Sequence, residues 1–241
     1  MSSKQLTTLS HQLPVIMDAP TDIPLVSIVT PSYNQGEFIE ETLKCIKNQT
    51  YENIEHIVVD GSSTDETIDI LKQYEDQYNL RWISEPDEGQ SDAINKGFDM
   101  ANGTIIGWLN SDDLYFRDSV LSDVVNTFAA NSEAAIVYGD AIFVDAEGQP
   151  LFVRKRKYWR NSRFLRGWTI PQPAIFFRQE VIDKHAIDQS LEYTMDQEFW
   201  LRIFNDYKST YLDEILAVDR LHEQAKRLAS DPEEFNAELR Q

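Results

Sequence analysis

The sequence has little cysteine and few basic residues, and both shortages exclude classes of protein. Cys45 is the one cysteine among 241 residues, so no internal disulfide can form and nothing in the composition requires an oxidising compartment. Forty-one acidic residues against 22 basic residues give a formal net charge of −19. This charge repels phosphate backbones, so we predict no nucleic-acid partner.

Long apolar runs and a recognisable targeting signal are also lacking. No run approaches the roughly 18 apolar residues of a membrane-spanning helix. The N-terminal residues do not combine a basic patch with an apolar core, so we predict a flexible leader over residues 1–23 and a cytoplasmic protein. With 41% hydrophobic residues, the chain is long enough for one large α/β domain or for a domain with an appended subdomain.

Short apolar runs alternate with amphipathic segments from Pro24 onwards. The runs have the length and β-branched character of strands, and the segments between them space apolar residues three and four apart, as helices do. Repeated strand, helix, strand units predict parallel strands joined by right-handed crossovers. The four predicted strands cover residues 25–30, 54–60, 80–84 and 104–110.

Beyond residue 115 the pattern changes, and we predict that the mainly parallel sheet becomes mixed. A helix over 117–131 is followed by a strand, by a hairpin that turns at "AEGQP", and later by two short strands within "STYLDEILAVDRLH". The fold class is therefore α/β. The predicted divisions after the leader are a first half over 24–115, a second half over 116–224 and a helical tail over 225–241.

Acidic side chains follow the ends of the predicted strands. Ligands of open α/β sheets bind beyond these carboxyl ends, so the topology should gather the acidic groups along one edge. The adjacent pair in "NSDD" would repel unless one carboxylate is protonated or a cation lies between them, and Mg²⁺ or Mn²⁺ suits such oxygen ligands. A simple helix cap is the alternative. The acidic residues concerned are Asp60, Asp65, Asp87, Asp92, Asp112 and Asp113.

Two long stretches carry a family resemblance, namely "VSIVTPSYNQGEFIEETLKCIKNQTYENIEHIVVDGSSTDET" and "EPDEGQSDAINKGFDMANGTIIGWLNSDD". They resemble the nucleotide-binding half of family 2 glycosyltransferases, which are GT-A-fold enzymes that use nucleotide-sugar donors. Shorter matches continue at "PQPAIFFR", "YTMDQEFWLR" and "DRLH". The resemblance implies a mixed, mainly parallel sheet flanked by helices, with a small C-terminal acceptor-side region. It also implies metal-dependent, inverting transfer of a sugar, with a UDP-sugar as the expected donor and a glycan or lipid-linked hydroxyl as the acceptor.

The resemblance also assigns the donor side of the site. Pro31 and Tyr33 would flank the base, and Asp60 would bind the pyrimidine ring. Asp113 would coordinate Mn²⁺ or Mg²⁺ on the diphosphate, and His222 would face the metal or the diphosphate. Asn110 departs from the family, which often has aspartate there. The full nucleotide-binding set is Pro31, Tyr33, Asp60, Asp92 and Asp112.

On the acceptor side, Asp196 matches the family's general base, which takes the proton of the attacking hydroxyl. Such a base must lie within hydrogen-bond reach of that hydroxyl. A helix cap is the alternative for Asp196, and Glu198 is the alternative base. Gln172, in "PQPA", is a candidate for acceptor contact.

Between Arg154 and Arg166 lie seven basic residues and no acidic residue. This segment predicts contact with an anionic acceptor or peripheral contact with an acidic membrane surface, and a solvated hairpin that pairs with the acidic protein is the alternative. Two rival functions also stay open: a non-catalytic scaffold that binds sugar nucleotide or glycan, and a sugar nucleotidyltransferase. The second would need basic residues after the first strand, where "TPSYNQGEF" has none.

Overall fold

The computed structural model describes residues 23–155, 170–223 and 238. The predicted leader and tail therefore lie outside the described residues, apart from Ile23 and Glu238, as does the basic segment beyond Lys155. The elements are, in chain order, β1 (Val26–Ser32), α1 (Ile39–Lys47), β2 (Ile54–Asp60), α2 (Thr67–Tyr74), β3 (Leu80–Ser84), α3 (Gln90–Met100), β4 (Ile105–Trp108), β5 (Leu114–Tyr115), α4 (Val120–Ala130), β6 (Ile136–Val144), β7 (Pro150–Arg154), a 3₁₀ turn (Gln172–Ala174), β8 (Ile175–Arg178), α5 (Gln179–Ile182), α6 (Met195–Asp206) and β9 (Ser209–Arg220).

Within the described residues, one sheet runs in the order β3-β2-β1-β4-β8-β6-β9-β5, with β7 paired to β6. Strands β1 to β4 are parallel to one another, as the alternation of strands and helices predicts. β8 is antiparallel to β4 and to β6, so the sheet is mixed in its second half. The carboxyl ends of β1, β2 and β4 therefore lie side by side at one edge.

One predicted element is wrong. The segment expected to form two short strands around a turn is the single strand β9, which pairs in parallel with β6 over most of its length. The register between the two strands shifts at Tyr138/Asp140 and again at Asp140/Ala141. Bulges of this kind bend a strand without ending it, which is why the sequence has a turn-like break inside a continuous strand.

Apolar clusters cover both faces of the sheet. One cluster packs α3 and α6 against the sheet through residues such as Phe98 and Trp200. A second packs α4 and part of α1 and includes Phe128, and a third packs α1 and α2 through residues such as Leu71. Neighbouring residues of β1, Ile28 and Val29, belong to different clusters because successive side chains of a strand point to opposite faces. In the part of the chain that is described, no helix has the length and apolar character needed to cross a membrane.

His56 in β2 is a fully buried histidine that makes stability depend on pH. Its ring nitrogens lie 3.0 Å from Thr30 Oγ1 and 2.7 Å from Tyr78 Oη. Burial lowers the pKa of His56 to about 3. The unfolded chain takes up this proton as the pH falls below about 6.5 while the folded chain does not, so stability is lost as the pH falls from there towards 3.

We expect His56 alone to remove about 2 kcal/mol from the free energy of unfolding between pH 8 and pH 5. Urea unfolding of the wild type and of His56→Gln at both pH values measures this contribution. The variant should be less stable at pH 8 and should lose less stability on acidification. Equal losses in the two proteins would contradict a buried neutral histidine.

Candidate active site

The loops after β1 and β2 are joined by hydrogen bonds at the carboxyl edge of the sheet. Asn34 N–H donates to Ser63 Oγ at 2.7 Å, and Thr64 N–H donates to Asn34 Oδ1 at 2.9 Å. Asn34 has φ +51°, a left-handed conformation that asparagine tolerates better than most residues. The neighbouring Tyr33 side chain is 61% exposed. The ring of Tyr33 is therefore exposed to solvent on a turn that hydrogen bonds hold in place. An exposed aromatic face of this kind can stack against a flat base.

Asp60 ends β2 and is fully buried. One carboxylate oxygen accepts a 2.5 Å hydrogen bond from Ser63 Oγ, and the other accepts from Ser63 N–H at 2.9 Å and from Ser84 Oγ at 2.7 Å. Asp60 therefore shapes the loop beneath the exposed tyrosine. A Cβ atom at the following residue, Gly61, would lie 2.6 Å from Asp87 Oδ2, so a larger residue there would require the Asp87 side chain to move.

Asn110 lies in the loop after β4 and uses all four hydrogen-bonding positions of its amide. Its oxygen accepts from Trp108 Nε1 at 2.9 Å and from Gln90 Nε2 at 3.1 Å. Its nitrogen donates to Asp113 Oδ2 at 3.3 Å and to Gln172 Oε1 at 3.0 Å. An aspartate here would lose both donated bonds and would face the carboxylate of Asp113. The asparagine thus suits these neighbours.

Gln172, the candidate for acceptor contact, is hydrogen-bonded to this same loop. Its nitrogen donates to the Trp108 carbonyl at 2.6 Å, and its oxygen accepts from Asn110. The side chain is buried and both ends of its amide are engaged. Gln172 therefore supports the loop after β4, and contact with the acceptor stays a prediction.

Asp113, the metal ligand expected from the sequence, points into the protein. Its side chain is buried, and its two oxygens accept from the backbone N–H of Arg220 at 3.1 Å and from Asn110 Nδ2. Burial, together with the charges of Asp112 and Asp219, raises the pKa of Asp113 well above its usual value. Through these contacts Asp113 holds the loop after β4 against β9.

Asp112 and His222 are far apart in the sequence and form a close pair in the fold. Asp112 Oδ2 lies 2.8 Å from His222 Nε2, although 110 residues separate them. The His222 ring packs against Phe38 with 4.4 Å between ring centroids. No group of three or more Asp, Glu, His or Cys side chains among the described residues is arranged to hold a metal by itself. The carboxylate of Asp112 is the type of oxygen ligand that Mn²⁺ and Mg²⁺ take together with water and phosphate oxygens.

Arg220, which the sequence analysis missed, ties this pair to the first half of the chain. Its guanidinium donates to the Asp112 carbonyl at 3.2 Å, to the Ala146 carbonyl at 2.9 Å and to Glu41 Oε2 at 2.5 Å. The side chain is buried. A cation in "DRLH", within a strongly acidic chain, is the one signal that pointed to it.

Asp196 lies in the first turn of α6, half-buried, and accepts a 2.7 Å hydrogen bond from the backbone N–H of Gln197. The residue at the N-cap position is Thr194. Glu198, the alternative base, forms a two-point ion pair with Arg202 at 2.5 and 2.8 Å. Both oxygens of Glu198 are thus engaged by Arg202.

The first turn of α3 connects α6 to the "NSDD" loop after β4. Ser91 Oγ lies 2.7 Å from Met195 Sδ and donates to the Leu191 carbonyl at 3.2 Å. The preceding residue, Gln90, donates to Asn110. The turn before Asp196 and the "NSDD" loop therefore contact adjacent residues of α3.

Asp92 connects α3 to the segment before α6. It accepts from Glu88 N–H at 3.2 Å, from Lys96 Nζ at 3.1 Å and from Gln189 Nε2 at 3.1 Å. These contacts hold the loop after β3 against the second half of the chain, and nucleotide contact by Asp92 stays a prediction.

Comparison with known proteins finds one matching family and related chains. The profile of Glycosyl transferase family 2 matches residues 27–185. An uncharacterised glycosyltransferase of Mycobacterium tuberculosis is 30% identical over 188 residues, which are 76% of this chain and 70% of that protein. Another, from Rickettsia bellii, is 30% identical over 234 residues, which are 90% of this chain and 33% of that relative. This chain therefore spans about one third of the length of that relative.

Solved structures share the architecture. Residues 1–349 of S. aureus TarS in complex with UDP-GlcNAc match with a TM-score of 0.73 and 21% identity, over 88% of this chain and 64% of that one. The mannosyltransferase PcManGT from Pyrobaculum calidifontis, in complex with GDP-Man and Mn²⁺, matches with a TM-score of 0.64 and 19% identity, over 86% and 59%. These likenesses confirm the predicted mixed α/β fold of GT-A type.

Proposed function

The chain belongs to glycosyl transferase family 2, and we propose that it transfers one sugar from a nucleoside-diphosphate sugar to a hydroxyl group of a glycan or lipid-linked acceptor. The observation that carries the proposal is the Asp112–His222 pair at the carboxyl edge of the sheet. In open α/β sheets this edge is the ligand-binding edge. The exposed face of Tyr33 on the first strand-end loop provides a surface for the base at the same edge.

A UDP-sugar is the first candidate donor. TarS, which has the higher TM-score of the two structural neighbours, is solved with UDP-GlcNAc, whereas PcManGT is solved with GDP-Man. Pro31, Tyr33 and Asp60 would form the base-binding part of the site. The rigid turn at Asn34 keeps the tyrosine in place before the nucleotide binds, which reduces the entropy cost of binding.

Asp112 and His222 would hold Mn²⁺ or Mg²⁺, in place of the Asp113 predicted from the sequence. When bound, such a metal neutralises the negative charge that develops on the leaving diphosphate. The backbone carbonyl of Asp112 is fixed by Arg220, and the ring of His222 is fixed by Phe38. These supports keep both ligands oriented, as metal ligands generally require.

Asp196 would act as the general base. It accepts the proton of the acceptor hydroxyl while that oxygen attacks the anomeric carbon, and the bond from this carbon to the diphosphate breaks on the opposite side, with inversion. The helix α6 and the contacts of its first turn with Ser91 hold the carboxylate in position. Such alignment of the reacting groups contributes substantially to rate.

Calorimetric titration of UDP and of GDP, each with and without Mn²⁺, tests the donor site. We expect UDP to bind, and to bind at least about tenfold more tightly with the metal, a difference of about 1.4 kcal/mol. A higher affinity for GDP would keep the transferase proposal and change the donor. A folded protein that binds neither nucleotide would contradict the proposal and favour a non-catalytic scaffold.

A further inference from the structure

Glu238 places its carboxylate against three successive backbone amides that directly precede α6. Its Oε1 accepts from Glu192 N–H at 2.9 Å. Its Oε2 accepts from the N–H groups of Tyr193 and Thr194, both at 2.9 Å, and from Thr194 Oγ1 at 3.0 Å. One carboxylate from the C-terminal part of the chain thus takes four hydrogen bonds from a turn more than 40 residues earlier.

The contact engages the three backbone amides that lead into α6, not the first amides of the helix itself, which begin at Met195. Thr194 occupies the N-cap position without capping α6 through its own side chain, and its hydroxyl donates to Glu238 instead. Hydrogen bonds to an ionised carboxylate are stronger than neutral ones. Burial alone would raise the pKa of Glu238, but these hydrogen bonds lower it below its usual value.

The turn that Glu238 binds is held on another side by α3. Ser91 contacts Leu191 and Met195, the residues that flank the three amides. Residues 191–195 therefore lie between a fixed contact with the donor half and a contact supplied by the C-terminal part of the chain. Asp196 follows immediately, and its backbone position depends on this turn.

We propose that Glu238 is a positioning residue for sugar transfer, which orders the turn before α6 and thereby fixes Asp196 for its reaction with the acceptor. The proposal rests on the proposed function, since it needs Asp196 as the base. It assigns a task to one residue near the C-terminus, whose carboxylate holds the backbone amides of residues 192–194. Removal of the contact should lower the rate of transfer and leave donor binding in place.

The test compares Glu238→Gln with the wild type in the full-length chain, with Glu180→Gln as the matched control. Glutamine keeps the shape of the side chain but turns one acceptor into an N–H₂ group that faces N–H donors. The Glu180 side chain is exposed at the surface, so its replacement controls for the loss of one negative charge. Amide hydrogen exchange over residues 192–199, kcat, the KM for the donor and the Kd for the nucleotide are measured for all three proteins.

We expect faster exchange at residues 192–194 in Glu238→Gln, a kcat lower by about 10- to 100-fold, and an unchanged KM and Kd for the donor. Glu180→Gln should match the wild type. Unchanged exchange would overturn the contact itself, and faster exchange with an unchanged kcat would overturn its importance for transfer. A wild type that binds no nucleotide and transfers no sugar would instead sink the proposed function, and with it any catalytic task for Glu238, while the exchange data would still report the contact.

Discussion

Replacement of Asp196 by asparagine is expected to lower kcat for sugar transfer by about 10²- to 10⁴-fold, the range over which general bases contribute. The amide has nearly the shape of the carboxylate, and its oxygen can still accept the hydrogen bond from Gln197 N–H, so the first turn of α6 should persist. It cannot take a proton from the acceptor hydroxyl. The Kd for the nucleotide should be unchanged, because donor binding does not use this group.

Glu198→Gln is the matched control for this result. Glu198 has the same chemistry and lies two residues away, but it is bound to Arg202 through both oxygens. Its replacement should cost the ion pair, which is worth less than about 1 kcal/mol at a partly exposed position, and should largely spare kcat. A large loss in Glu198→Gln, together with near-normal turnover in Asp196→Asn, would exchange the assignments of the two residues.

Asp112→Asn is expected to abolish the gain in nucleotide affinity that Mn²⁺ provides. A neutral amide is a much weaker ligand for a hard divalent cation than a carboxylate. Loss of a supporting residue near a bound metal typically costs 10- to 100-fold in affinity, and loss of a ligand should cost at least about that much. Titration of UDP or GDP with and without Mn²⁺ measures the effect.

Asp113→Asn separates the two neighbouring carboxylates. Both oxygens of Asp113 accept hydrogen bonds from the protein, so an amide would set its N–H₂ group against one of these donors. We expect the free energy of unfolding to fall by about 1–3 kcal/mol, as measured by urea unfolding, while the metal-dependent gain in nucleotide affinity persists. The opposite outcome, loss of the metal effect in Asp113→Asn alone, would restore Asp113 as the ligand predicted from the sequence.

The sequence predicted the first half of the fold well, because each element there has a strong local pattern. The strands β1 to β4 and the helices α1 to α3 all occur at or near the residues where apolar spacing places them. β9 was the exception, since two short strands were expected. Its continuity depends on pairing with β6, a contact between residues about 70 apart that leaves no local signal.

The sequence by itself determined which groups follow the strand ends, and hence that carboxylates gather at the ligand-binding edge of an α/β sheet. It also predicted Asp196 as the candidate base, from the short motif that contains this residue. The tertiary structure alone decided which member of "NSDD" faces outward. The two carboxylates are adjacent in the turn after β4, where no local pattern says which side chain points inward, so either Asp112 or Asp113 satisfied the motif equally well.

That choice depends on Arg220, whose backbone N–H holds Asp113 inside from a position 107 residues later in the chain, and on His222, which meets Asp112 across 110 residues. The contact of Glu238 with the turn before α6 is of the same kind, because the three amides and the carboxylate that binds them are more than 40 residues apart. Local composition and spacing determine elements and their ends. Which side chains meet in the site is determined by pairing in the sheet and by burial, which only the folded chain contains.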